Sequence, residues 1–181
     1  MLNTTQLNKL IQLLLRKIET PQGKNDTIIQ LQCLSIIAKS IGNKLSPYLS
    51  QIIPLLNNFC QTLKADESVD DDNELTETAL STLEAIFRKC PLEVNEYVQL
   101  LLATGFKLCE YDPNYIYNDD EDDEEMKSDG EGEGWGDDDF SDNGGGFADC
   151  DDDTSWKVRR AAIGIIDTII KTRPDRAKEI I

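Results

Sequence analysis

Carboxylates are the densest chemistry in this sequence. From Asp119 to Asp153 it reads DDEDDEEMKSDGEGEGWGDDDFSDNGGGFADCDDD. Carboxylates at that density can take up a hard cation such as calcium, or meet a basic protein surface. An EF-hand loop needs its oxygen ligands, a central Gly and a closing Glu in fixed register, and the run contains no such loop. Rich in Asp, Glu and Gly and poor in branched aliphatics, it is expected to stay solvated and disordered. As a flexible coil its 35 residues would span roughly 30–40 Å, with contacts that weaken as salt rises. Two roles stay open: a solvated spacer that keeps the molecule soluble, or a polyanionic arm that meets a basic partner. Trp135, Phe140 and Phe147 are either anchors for a partner pocket or incidental. Buffering of calcium or of basic proteins is a third possibility.

Other reactive groups are sparse. Histidine is absent, which removes the commonest general base and transition-metal ligand. Cys33, Cys60, Cys90, Cys109 and Cys150 form no CxxC pair. The first four sit among apolar residues and are expected as reduced, buried packing groups of a cytoplasmic or nuclear protein. The glycines of the acidic run follow no strand, so they make no phosphate loop. No nucleophile stands beside a base, and neither a cofactor nor a metal site is expected. The chain is read as a non-enzyme that binds no small-molecule substrate.

Net charge is −17, yet nineteen acids and one lysine fall between Tyr111 and Thr154. The rest carries sixteen acids and seventeen bases. A nearly neutral folded body thus carries an acidic tether. Its net field disfavours nucleic acid, and the apolar runs are too short to cross a membrane.

Helical periodicity supplies the elements that position these groups. Leu7, Leu10, Ile11, Leu14 and Ile18 line a first helix, ended at Thr20-Pro21-Gln22-Gly23. Ile28, Leu31, Leu34, Ile37, Ala38 and Ile41 line a second, stopped by Gly42 and Asn43. Ser46-Pro47 is expected to start a third through Tyr48, Leu49, Ile52, Ile53, Leu56, Phe59, Cys60 and Leu63, kinked at Pro54. An acidic turn, Asp66 to Asp72, leads into a fourth with Ala79, Leu80, Leu83, Ile86, Phe87 and Cys90 on its face. Pro91 opens a fifth with Val94, Tyr97, Val98, Leu101, Leu102, Phe106 and Cys109. Thr154-Ser155 starts a sixth with Trp156, Val158, Ala162, Ile163, Ile166, Ile169 and Ile170, and Pro174 starts a seventh. The fold class is all-α.

These helices repeat. A shift of 49 carries Leu31, Leu34 and Ile37 onto Leu80, Leu83 and Ile86, and Tyr48, Ile52, Ile53 and Cys60 onto Tyr97, Leu101, Leu102 and Cys109. The unit is a helical hairpin, and such units stack into solenoids because one hairpin cannot bury its own faces. A shift of 83 carries Leu80, Leu83, Ile86, Phe87 and Pro91 onto Ile163, Ile166, Ile169, Ile170 and Pro174. The excess over one period is close to the length of the acidic run. The expected organisation is therefore repeats over 1–110, an acidic insertion over 111–153, and the same solenoid resuming over 154–181. The unpaired first helix and cut-off last one suggest a fragment of a longer solenoid.

Asp153 followed by Val158-Arg159-Arg160-Ala161-Ala162 resembles the first helix of a HEAT repeat, with Asp before and Val-Arg-x-x-Ala within. The repeat at Asp72 to Cys90 matches by apolar spacing alone, since it has no Arg there. Ile52-Ile53-Pro54-Leu55, Arg88-Lys89-Cys90-Pro91, Tyr111-Asp112-Pro113-Asn114-Tyr115-Ile116-Tyr117, the acidic run and SWKVRRAA follow in that order. Together they resemble the N-terminal third of the cullin-associated NEDD8-dissociated family, over about Thr27 to Pro174. The resemblance implies an α-α superhelix that wraps an unneddylated cullin and its RING subunit and promotes exchange of substrate receptors. The family's receptor-displacing end is not expected within this stretch of sequence. A karyopherin-like transport factor, which also combines HEAT repeats with an acidic loop, is the alternative.

The candidate partner-binding residues are Tyr115, Tyr117, Asp119, Asp120, Glu121, Asp122, Asp123, Trp135, Lys157 and Arg160. Arg159 is expected to be structural, bonding acids or carbonyls of a neighbouring repeat. Tyr111 and Tyr115 are expected to close the end of the fifth helix.

Overall fold

The computed structural model describes residues 3–63, 69–112 and 154–177. Every regular element among them is helical. The α-helices are α1 (Thr4–Glu19), α2 (Lys24–Ile41), α3 (Leu49–Gln61), α4 (Val69–Lys89), α5 (Val98–Cys109), α6 (Ser155–Thr172) and α7 (Pro174–Ala177). Short 3-10 segments, Gly42–Tyr48 and Asn95–Tyr97, lead into α3 and α5.

α2, α4 and α6 form one row, each packed on the next. α3 and α5 form a second row that packs on α4 and α6, and α1 packs on α2. The fold is an α-α solenoid of stacked helical hairpins, of the HEAT type. Between the rows lies a continuous core that includes Leu31, Leu34, Ile52, Ile53, Leu56, Leu80, Leu83, Ile86, Phe87, Leu101, Ala162, Ile165 and Ile169. Each buried aliphatic or aromatic side chain stabilises by roughly 1.5–3 kcal/mol.

Hydroxyl groups bridge the seams. Thr82 Oγ1 donates to Leu31 O at 3.3 Å, joining α4 to α2. Thr76 Oγ1 donates to Phe59 O at 3.3 Å, joining α4 to α3. Thr104 Oγ1 donates to Asn57 Oδ1 at 2.8 Å inside the α3–α5 contact, and Thr168 Oγ1 donates to Glu84 Oε1 at 3.3 Å across α4–α6. Gly105 sets the α5–α6 approach. A Cβ there would lie 2.8 Å from Ile166 Cγ1, closer than real side chains come.

Several starts differ from those expected. α1 begins in a capping box: Asn3 Oδ1 accepts from Gln6 N at 2.8 Å and Gln6 Oε1 from Asn3 N at 3.1 Å. Ser46 does not cap a third helix. Gly42, at φ 57°, ends α2, and the chain passes through Pro47 in 3-10 form before α3 begins at Leu49. Pro91 likewise precedes a turn and a 3-10 segment, so α5 begins at Val98. α4 already begins at Val69, so Asp70 to Asp72 of the expected turn lie within a helix.

Some expected core residues face outward. Leu10 on α1, Phe106 on α5 and Trp156, Ile163 and Ile170 on α6 are exposed, and so is Cys33. Leu15, Leu108 and Ile165 are buried instead. The α6 change has one cause, the register. The shift of 49 pairs buried with buried: Leu31 with Leu80, Leu34 with Leu83, Leu49 with Val98, Ile52 with Leu101. From α4 to α6, however, burial matches at 82 and not 83. Asn73 goes to Ser155, Thr76 to Val158, Leu80 to Ala162, Leu83 to Ile165 and Phe87 to Ile169, all buried. One residue of slip turns a helix face by 100°, enough to carry Ile163 out of the core.

Candidate partner interface

Two candidate residues, Lys157 and Arg160, stand on α6. Tyr115, Tyr117, Asp119, Asp120, Glu121, Asp122, Asp123 and Trp135 lie outside the described residues, as do Phe140, Phe147 and Cys150.

The start of α6 is fixed from two sides. Asn73 Nδ2 on α4 donates to Thr154 Oγ1 at 2.9 Å. Arg159 Nη1 donates to Tyr111 O and to Ser155 Oγ, both at 2.8 Å. Arg159 therefore joins the last residues described after α5 to the first turn of α6, bonding a neighbouring carbonyl as its sequence position suggests. Tyr111 is half-buried against the core. At the far end of α6, Arg173 Nη1 donates to Pro91 O at 3.2 Å and Arg176 Nε to Asn95 Oδ1 at 3.1 Å. Sequence reading missed these two.

With Arg159 committed to the seam, Lys157 and Arg160 remain at the surface. Lys157 Nζ lies 6.0 Å from the centre of the exposed Trp156 ring, a cation–π arrangement. Arg160 is exposed. Among the described residues neither forms an ion pair.

Three of the described thiols, Cys60, Cys90 and Cys109, are held away from the thiolate form. Burial pushes Cys60 up to about 12. Cys90 is raised by burial and then by Glu93, and Cys109 by burial and then by Glu110. Reactive thiols need the opposite shift. A groove of about 490 Å³ between α2 and α4, lined by residues such as Gln32, Lys39, Glu74 and Glu77, holds mixed charge and amide groups. Among the described residues no group of three His, Cys, Asp or Glu could hold a metal ion, and no helix is long and apolar enough to cross a membrane.

No family model matches the chain. Curated proteins do. The chain is 40% identical over 146 residues to Cullin-associated NEDD8-dissociated protein 2 of Mus musculus, covering 80% of this chain and 10% of that protein. It is 31% identical over 178 residues to Cullin-associated NEDD8-dissociated protein 1 of Drosophila melanogaster, covering 98% of this chain and 13% of that protein. Against the protein of the same name in Dictyostelium discoideum it is 33% identical over 177 residues, covering 96% and 14%. The chain thus spans between 10% and 14% of the relatives' own lengths. Their names point to a regulator associated with cullins rather than to an enzyme. By sequence, the chain belongs to the cullin-associated NEDD8-dissociated family.

Proposed function

We propose that this chain is a scaffold segment of a cullin-associated regulator. It binds an unneddylated cullin and its RING subunit through the faces of its repeats. Within a longer protein it takes part in exchange of substrate receptors on cullin–RING ubiquitin ligases, in the cytoplasm, the nucleus or both. The observation that carries this is 31% identity across 178 residues to a protein named for cullin association. That identity spans the helices on both sides of residues 113–153.

In this reading the acidic run is an insertion between two repeats and contributes solubility or a salt-dependent arm. Lys157 and Arg160 are its neighbouring partner-facing cations, and the Tyr115 to Trp135 candidates belong to the arm.

The test is a pull-down of the 181-residue chain with an unneddylated cullin–RING complex, its neddylated form, and a small transport GTPase. Retention of the unneddylated complex, lost on neddylation, is the expected result. Retention of the GTPase alone would replace this function with nuclear transport.

A further inference from the structure

The outer surface of the α2–α4–α6 row carries a line of residues that no neighbouring helix among the described residues covers. On α4 the line is Glu74, Ser81 and Arg88, all exposed. It runs between two packed edges. Asn73 and Glu84 face α6, and Thr82 faces α2. α4 has helices on both sides and its outer line is still open, so stacking does not cover these positions. The equivalent line on α2 is Asn25, Gln32 and Lys39, again polar and exposed. On α6 the register of 82 places Trp156, Ile163 and Ile170 there, exposed by 48%, 59% and 41%.

Seven-residue spacing keeps all three on one stripe of the helix. Ile29 and Ile36 of α2 are exposed too, but they correspond to Thr78 and Ala85, which share the edge that α4 turns toward α2. Those two therefore lie off the outer line on which the α6 stripe falls.

Charge beside the stripe, on the edge that α6 turns toward α4, is arranged about its centre. Arg160 stands three residues before Ile163 and Asp167 four after it. We infer that the α6 stripe is a self-association surface, occupied by α6 of a second copy running antiparallel. In that pairing Trp156 meets the partner's Ile170, Ile163 meets the partner's Ile163, and Arg160 comes beside the partner's Asp167. The same contacts recur on the other side of the two-fold axis, as an isologous interface requires. Arg160 has no ion pair among the described residues. Asp167 is held by Lys171 at 2.7 Å in an exposed i,i+4 pair, an interaction weak enough to exchange. Three side chains supply less than the roughly 800 Å² per partner of a stable interface, so the dimer is weak.

Sedimentation equilibrium of the full chain tests this, at about 0.15 M salt so that repulsion between the acidic copies is screened beyond roughly 8 Å. The expected result is a monomer–dimer equilibrium with a dissociation constant of roughly 10–500 µM. Ile163→Asp is expected to be monomeric with unchanged helicity, since the side chain is exposed. Arg160→Asp sets like charges together twice by symmetry and weakens the dimer about tenfold. Adding Asp167→Arg restores the dimer to within about threefold of the original. A chain still monomeric at about 1 mM, a dimer that survives Ile163→Asp, or a double variant as weak as the single one would each overturn the assignment.

Discussion

α4 and α6 bury the same register and expose opposite chemistry. Leu80, Leu83 and Phe87 enter the core where Ala162, Ile165 and Ile169 do, while Glu74, Ser81 and Arg88 face solvent where α6 presents Trp156, Ile163 and Ile170. The inward pattern is dictated by stacking, because a polar group there would lose its water without gaining a partner. The outward line is under no such constraint. It is where one repeat can differ from the next, and so where specificity can be added at little cost to the fold.

The largest expected effect tests the inward half of that comparison. Phe87 is fully buried with helices on both sides. Phe87→Ala should cost about 3–5 kcal/mol, whereas Ser81→Ala on the outer line should change stability by less than about 0.5 kcal/mol. Denaturant titration of both variants measures the contrast, and equal losses would dissolve it.

A smaller effect is expected at the seam. Arg159→Met keeps the length of the side chain but leaves Tyr111 O and Ser155 Oγ without their shared donor. The expected loss is about 1–3 kcal/mol, read from the same titration.

The smallest is a pH effect. The Cys60 thiol is held up to about 12 by burial, while in the unfolded chain it ionises near 8.5. Because the folded value is the higher one, its stabilisation is complete below the unfolded value and is lost as pH rises from there toward 12. Unfolding midpoints measured between pH 7 and about 10 should therefore fall less in Cys60→Ala than in the parent. A thiol-reactive dye should label Cys33 in the folded chain well before Cys60, given their exposure.

Much of the fold was legible in the letters. All six residues named for the face of α4 are buried, since a helix flanked on both sides buries its whole apolar arc. The 49-residue period was legible for the same reason. What misled was α6. Ile163, Ile165 and Ile166 point in three directions, and their identities do not say which one has a neighbour. Aligning Pro91 with Pro174 fixed the shift one residue too far. A proline that ends a helix tolerates such slack in a loop, and core positions do not. Leu10 and Phe106 were misplaced because apolar spacing reports what a face could bury and not what packs on it. Of the candidate site, Arg160 could be read as exposed once Arg159 was assigned to the seam, whereas Lys157 is half-buried beside Trp156. The bonds from Arg173 and Arg176 to the α4–α5 turn were not legible, because they join residues 81 and 82 positions apart.

If residues 113–153 are an insertion, as proposed, α6 continues the stack of α4 and α5 without them. Replacing 113–153 by a Gly-Ser linker of about six residues tests that most directly, by thermal unfolding followed by circular dichroism at 222 nm. A single cooperative transition is expected, with the midpoint within about 3 °C of the full chain and the same helical signal per molecule. Two separate transitions, or loss of the helical signal of α6, would contradict it.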